Sequence, residues 1–174
     1  MKTILRFIGS TLILGMLAWV LIVNVAISPS QATIRQLEEA PGQVVYQSRQ
    51  VLKDQKGASW QAIAFKRTFP DRSDSIYLRL VGFPGTANID HSQPLTLTNS
   101  MGKTLTAADV SHDMFVDPTQ IKPDVAQYDL QPILMKLELG IPLRLILPTL
   151  DQSEITLNAS TDLVEEWRSL IGQK

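Results

Sequence analysis

Residues 43–67, QVVYQSRQVLKDQKGASWQAIAFKR, set the architecture. In the second half, Trp60, Ala62 and Ala64 fall on one face and Ile63 and Phe65 on the other, the two-residue period of a strand. Asp54-Gln55-Lys56-Gly57 supplies turn formers, so the stretch predicts a hairpin of strands Gln43–Lys53 and Ser59–Arg67. Further along, Phe69 to Asp74 is rich in turn residues, and Ser75–Val81 sets Ile76, Leu78 and Leu80 against Tyr77, Arg79 and Val81. Three consecutive strands make an antiparallel meander.

The pattern continues with less regularity. Gly82-Phe83-Pro84-Gly85 opens a loop that runs to Pro94, after which Leu95–Thr98 and Thr104–Thr106 bracket a turn at Ser100–Lys103. Residues 109–128 carry Pro118, Pro123 and several Asp, and read as irregular surface structure. Leu130–Leu139 reads as a helix: Leu, Gln, Met, Lys and Glu dominate, Asp129 can cap it, Pro132 fits its first turn and Gly140 ends it. Strands at Leu143–Leu147 and Glu154–Asn158 follow. A last helix is capped by Thr161 or Asp162, with Leu163, Val164, Trp167, Leu170 and Ile171 as its buried stripe and Glu165, Glu166 and Arg168 toward water. The predicted class is α+β, mostly β: an antiparallel meander or partly open barrel packed by two helices, one of them C-terminal, behind an N-terminal apolar export helix.

Working backward, Lys2 and Arg6 precede Phe7–Ile27, a run without one charged side chain, and Ser30-Gln31-Ala32 comes after it. Basic head, apolar stretch and small-residue end are the order of a secretory signal peptide, with cleavage after Ala32. The run is also near the roughly 20 residues that cross a bilayer, so a retained anchor is the alternative. With the positive charges in front, either reading exports the rest of the chain. The expected organisation is 1–32 signal peptide or membrane anchor, 33–43 a polar tether containing Pro41-Gly42, and 44–174 a single β-rich domain.

Composition narrows the chemistry. Beyond Ala32 the chain has 14 basic and 17 acidic residues, and this net negative charge argues against a nucleic-acid partner. Zero cysteines exclude disulfides, thiolate metal sites and cysteine nucleophiles. No Gly-x-Ser-x-Gly is present, and Glu38-Glu39 and Glu165-Glu166 are adjacent pairs unsuited to acid and base roles. Asp109, His112, Asp113 and Asp117 are weak metal candidates in a spacing that matches no ligand motif, and turn formation is their simpler role. Trp60, Trp167 and Tyr77 are candidates to line an apolar pocket, although core packing explains such residues as well. Gly82–Gly85 lacks the ending of a phosphate loop, and a rigid aromatic-proline loop beside a sheet is a docking feature.

Val44-Val45-Tyr46-Gln47-Ser48-Arg49, Trp60-Gln61-Ala62, Tyr77 to Gly85, Ile141 to Leu145 and Glu166-Trp167-Arg168 together resemble a cyanobacterial domain-of-unknown-function family, number 3122. The resemblance covers the exported part from Val44 onward and implies a cyanobacterial source, hence a thylakoid lumen or a periplasm. It implies no catalytic residues and no cofactor. The expected function is therefore a non-catalytic accessory protein docking on a membrane complex or membrane surface, with a photosynthetic membrane as the setting the resemblance implies. Arg79, Phe83, Pro84, Asp90 and His91 are its candidate contact residues. A lipid- or pigment-binding module is the alternative and a metal-dependent enzyme the third.

Overall fold

The computed structural model describes residues 34–40, 43–70, 73–114 and 120–173. The apolar run Phe7–Ile27, the cleavage position Ala32 and the metal candidate Asp117 lie outside them. Two antiparallel sheets form the domain. The first has the order β1 (Arg35–Ala40), β2 (Gln43–Lys53), β3 (Ser59–Arg67), β4 (Ser75–Gly82), β7 (Val125–Asp129). The second runs β6 (Thr104–Ala107), β5 (Leu95–Asn99), β8 (Leu143–Pro148), β9 (Glu154–Ala159). Helix α1 is Gln131–Leu134 and helix α2 is Thr161–Ser169.

The meander forms in the register that alternation demands: Gln47 pairs with Phe65 and Phe65 with Tyr77, while Ser48 pairs with Ala64 and Ala64 with Leu78. One parity, Tyr46, Ser48, Ala62, Ala64, Leu78 and Leu80, therefore faces the second sheet and is buried. Leu95, Leu97, Leu145 and Leu157 answer it from the other side, and Trp60, Tyr128 and Trp167 fill the space between. Each such fully buried large side chain contributes about 1.5–3 kcal/mol relative to an exposed one. The sheets are stitched at two edges. Asp54 bridges to Leu157, with Gln55 donating from Nε2 to the Glu154 carbonyl (2.7 Å), and Asp109 bridges to Tyr128. The result is open between these seams, not a closed barrel.

Four sequence expectations are corrected. The tether read at residues 33–43 contains edge strand β1, where Leu37 pairs with Val45 and the backbone of a polar segment is satisfied by β2. Val125–Tyr128, read as irregular, belongs to strand β7 on β4, because Ala126 and Tyr128 complete the core face. The helix expected over Leu130–Leu139 stops at Leu134: beyond it the N–H groups of Lys136 and Leu137 reach back only three residues, to Ile133 O (2.8 Å) and Leu134 O (3.3 Å), and the open carbonyls of Lys136 and Leu137 accept from Lys103 Nζ (2.9 Å) and Arg168 Nη1 (3.0 Å). Helix α2 is capped by Ser160, whose Oγ accepts from Leu163 N, and not by Thr161 or Asp162.

Helix α2 holds a further departure. Glu166, expected to face water, is 8% exposed, and Ile171, expected inside, is exposed instead. Burial pushes the Glu166 carboxyl above its ordinary range, and Ser48 on β2 offsets part of that. Neither Glu166 oxygen nor Ser48 Oγ has a partner in full hydrogen-bond geometry, so the helix carries a polar group into the core at a cost.

Candidate functional site

The outer face of the five-stranded sheet collects what the core excludes. Register places Arg35, Gln47, Phe65, Tyr77 and Asp129 in one row across it, and Arg49, Ile63, Arg79 and Gln127 in the next. Val45, Ile63 and Phe65 form a second, small apolar cluster there, with Tyr77 and Val81 packed against it. This cluster lies beneath guanidinium groups. Arg79 Cζ stands 5.3 Å and Arg67 Cζ 5.6 Å from the Phe65 ring centre, inside the range of cation–π attraction. Arg79 is fixed further by Nε and Nη2 donating to Gln127 Oε1 at 3.2 and 2.7 Å. Tyr77 tilts against Phe65 with centroids 5.6 Å apart.

The loop after β4 ends this face with an apolar lip. Phe83-Pro84-Gly85-Thr86 is a tight turn in which Thr86 N donates to the Phe83 carbonyl (3.0 Å) and Gly85 has φ +80°. Proline at the second position and a positive-φ glycine at the third are what a type II turn requires. The turn leaves Phe83 66% exposed, with Val51 57% exposed beside it. Val51, Val81, Phe83 and Pro84 line an open, mostly apolar groove of about 480 Å³. Trp60 floors it, and Gly82 is glycine because a Cβ there would stand 3.0 Å from the indole. The groove is thus held by a residue wholly inside the core.

Downstream, the loop is pinned and not available in the same way. Ile89 N donates to Pro123 O and Asp90 N to Pro148 O, with Ile89 buried. Asp90 accepts from the hydroxyl and N–H of Ser92, which hold its carboxyl below the usual range. His91 turns toward Asp109, with Nδ1 and Oδ2 3.0 Å apart. Asp109 Oδ1 accepts from Ser111 N (2.7 Å), and Ser111 Oγ accepts from Gln127 N (2.9 Å). Next to them, burial and then the Asp109 charge push the Tyr128 hydroxyl above its usual range. Of the five contact candidates, Arg79, Phe83 and Pro84 share the sheet face and its lip, while Asp90 and His91 serve the loop's own anchorage.

The described metal candidates, Asp109, His112 and Asp113, are not gathered. Asp109 goes to His91, and His112 Nε2 lies 3.0 Å from Asp113 Oδ1 on the surface. Among the described residues no three His, Asp or Glu side chains cluster as a metal site. The three rings considered for an apolar pocket are divided, Trp60 and Trp167 in the core and Tyr77 on the opposite side of the sheet. Sequence reasoning missed the His91–Asp109 contact and the buried Glu166. Only the second left a signal, standing one turn from Leu163 on a helix whose apolar stripe is broad.

Over residues 32–170 the chain matches the family described as "Protein of unknown function (DUF3122)". No curated protein and no solved structure matches it.

Proposed function

The chain belongs to the DUF3122 family, and we propose that it is a non-catalytic docking protein of the exported side of a membrane. The single observation behind this reading is the turn at Phe83–Thr86, which presents Phe83 to solvent at the mouth of an apolar groove. A rigid aromatic on a proline-stiffened turn has little entropy to lose on contact and makes a good contact residue. The N-terminal apolar run in the sequence supplies the membrane context. A pocket for a lipid or pigment has less support because its candidate rings are split between two faces, and metal-dependent catalysis has less because its candidate ligands are split between two sites.

A native capture experiment tests the reading. The full chain with a C-terminal tag, purified from mildly solubilised membranes, is expected to bring down membrane components, and Phe83→Ala is expected to lose them with an unchanged circular dichroism spectrum. Capture by Phe83→Ala equal to that of the unaltered chain contradicts the proposal.

A further inference from the structure

The charged residues of the domain are not spread evenly, and their sorting names a partner. Among the paired positions of the described residues, the outer rows of the five-stranded sheet hold Arg35, Arg49, Lys53, Arg67 and Arg79 and one acid, Asp129. Lys53 Nζ donates to Ser59 Oγ of the neighbouring strand, which places it in the same surface. The whole chain, by contrast, carries 16 basic and 17 acidic residues, so this one face is basic in a molecule of slight negative charge. Arg35 and Arg49 are exposed, and the guanidinium groups of Arg67 and Arg79 are spread over Phe65.

Two apolar features border the same face. Phe83 and Val51 stand exposed at one end, and Leu37 on edge strand β1 is 47% exposed at the other. Basic side chains interleaved with protruding apolar ones are what an anionic bilayer surface selects. The cations meet headgroup charge, and the apolar tips enter the boundary with the acyl chains. Chain connectivity agrees. Only seven residues separate Ile27, the end of the apolar run, from Arg35 on β1. At 3.3–3.6 Å per residue that is at most roughly 25 Å, so a domain tied to a membrane through this run keeps β1 near its surface.

We infer that the outer face of the five-stranded sheet, with the Phe83 turn as its lip, is a docking surface for an anionic lipid bilayer. The inference rests on the docking reading above and names its partner. Arg49 contributes headgroup contact, Phe83 and Val51 contribute insertion, and the Phe65 layer beneath the guanidinium groups keeps the cations spread over the face.

The absence of cysteine permits a direct test on the full chain. Phe83→Cys carries a polarity-sensitive fluorophore in one sample and Val51→Cys in a second. Met101→Cys, on the exposed β5–β6 turn, is the control. Each is reconstituted into vesicles of phosphatidylcholine alone or with phosphatidylglycerol. The expected result is a blue shift at positions 83 and 51 in phosphatidylglycerol vesicles only, none at 101, and loss of the shift when Arg35→Glu and Arg49→Glu are added. Equal emission in the two vesicle types, or a shift that survives the charge reversals, overturns the inference. Absence of the shift while the tagged chain still captures a membrane protein overturns the lipid assignment alone. Absence of both overturns the docking reading with it.

Discussion

The two sheets of this domain share one core, yet their outer faces are built to opposite specifications. Outside the four-stranded sheet, Thr106, Thr96, Ile146 and Thr156 make one row and Thr104, Thr98, Arg144 and Asn158 the next. Threonine satisfies strand propensity with a hydroxyl toward water, and the face carries one Arg and, beyond these rows, Glu154. Outside the five-stranded sheet, five cations and an aromatic layer occupy the equivalent positions. Stability does not require this, since the threonine face meets the same demand with small neutral side chains. The difference is the ground on which the five-stranded face is proposed as the contact surface.

Removing what the two faces share should have the largest effect. Trp60 is fully buried beneath the groove and packs in the common core, and Trp60→Ala is expected to lower stability by about 3–5 kcal/mol in urea unfolding, erasing both faces together. Gly82→Ala is a milder probe. It would push a Cβ within 3.0 Å of the indole and is expected to cost about 1–3 kcal/mol by the same measurement.

Charge changes then separate the faces. Arg49→Gln is expected to lower partitioning onto anionic vesicles about fivefold, near 1 kcal/mol, while Arg144→Gln on the threonine face leaves it within error. Raising salt from about 0.1 M to 1 M shortens the screening length from roughly 10 to 3 Å and should weaken the unaltered chain far more than Arg49→Gln combined with Arg35→Gln.

The smallest effect separates core from face. Glu166 lies inside, and its carboxyl is raised by burial, so the folded state holds its proton more tightly than the unfolded chain. Stability from this group is present at low pH and declines as pH rises from the ordinary carboxyl range through the raised folded value. Glu166→Gln should flatten that decline, seen as urea midpoints that differ less between pH 5 and pH 7, with vesicle binding unchanged.

Much of this contrast is legible in the amino-acid order alone. Alternation puts Ile63 with Phe65 and Tyr77 with Arg79 and Val81, and pairing then joins the groups into one face. Seven strands, the meander and the terminal helix follow from period and turn chemistry. Strand β1 does not, because in Arg35–Ala40 only Leu37 is a large apolar residue and the strand exists through pairing with β2. Strand β7 is hidden by its shortness and by Gln127, which is buried because Arg79 donates to it. The carbonyls left open where helix α1 stops are met by Lys103 and Arg168, each more than 30 residues from its acceptor. The His91–Asp109 contact likewise joins two loops 18 residues apart and leaves no local trace.

A labelling experiment on isolated native membranes sets the two faces directly against each other. Val51→Cys on the outer face of the five-stranded sheet and Thr104→Cys on the threonine face are each reacted with a membrane-impermeant maleimide, and the rates are compared with those of the detergent-released protein. Docking through the five-stranded sheet slows reaction at position 51 by about tenfold or more and leaves position 104 unchanged. Equal rates at the two positions, or protection of 104 instead of 51, would contradict it.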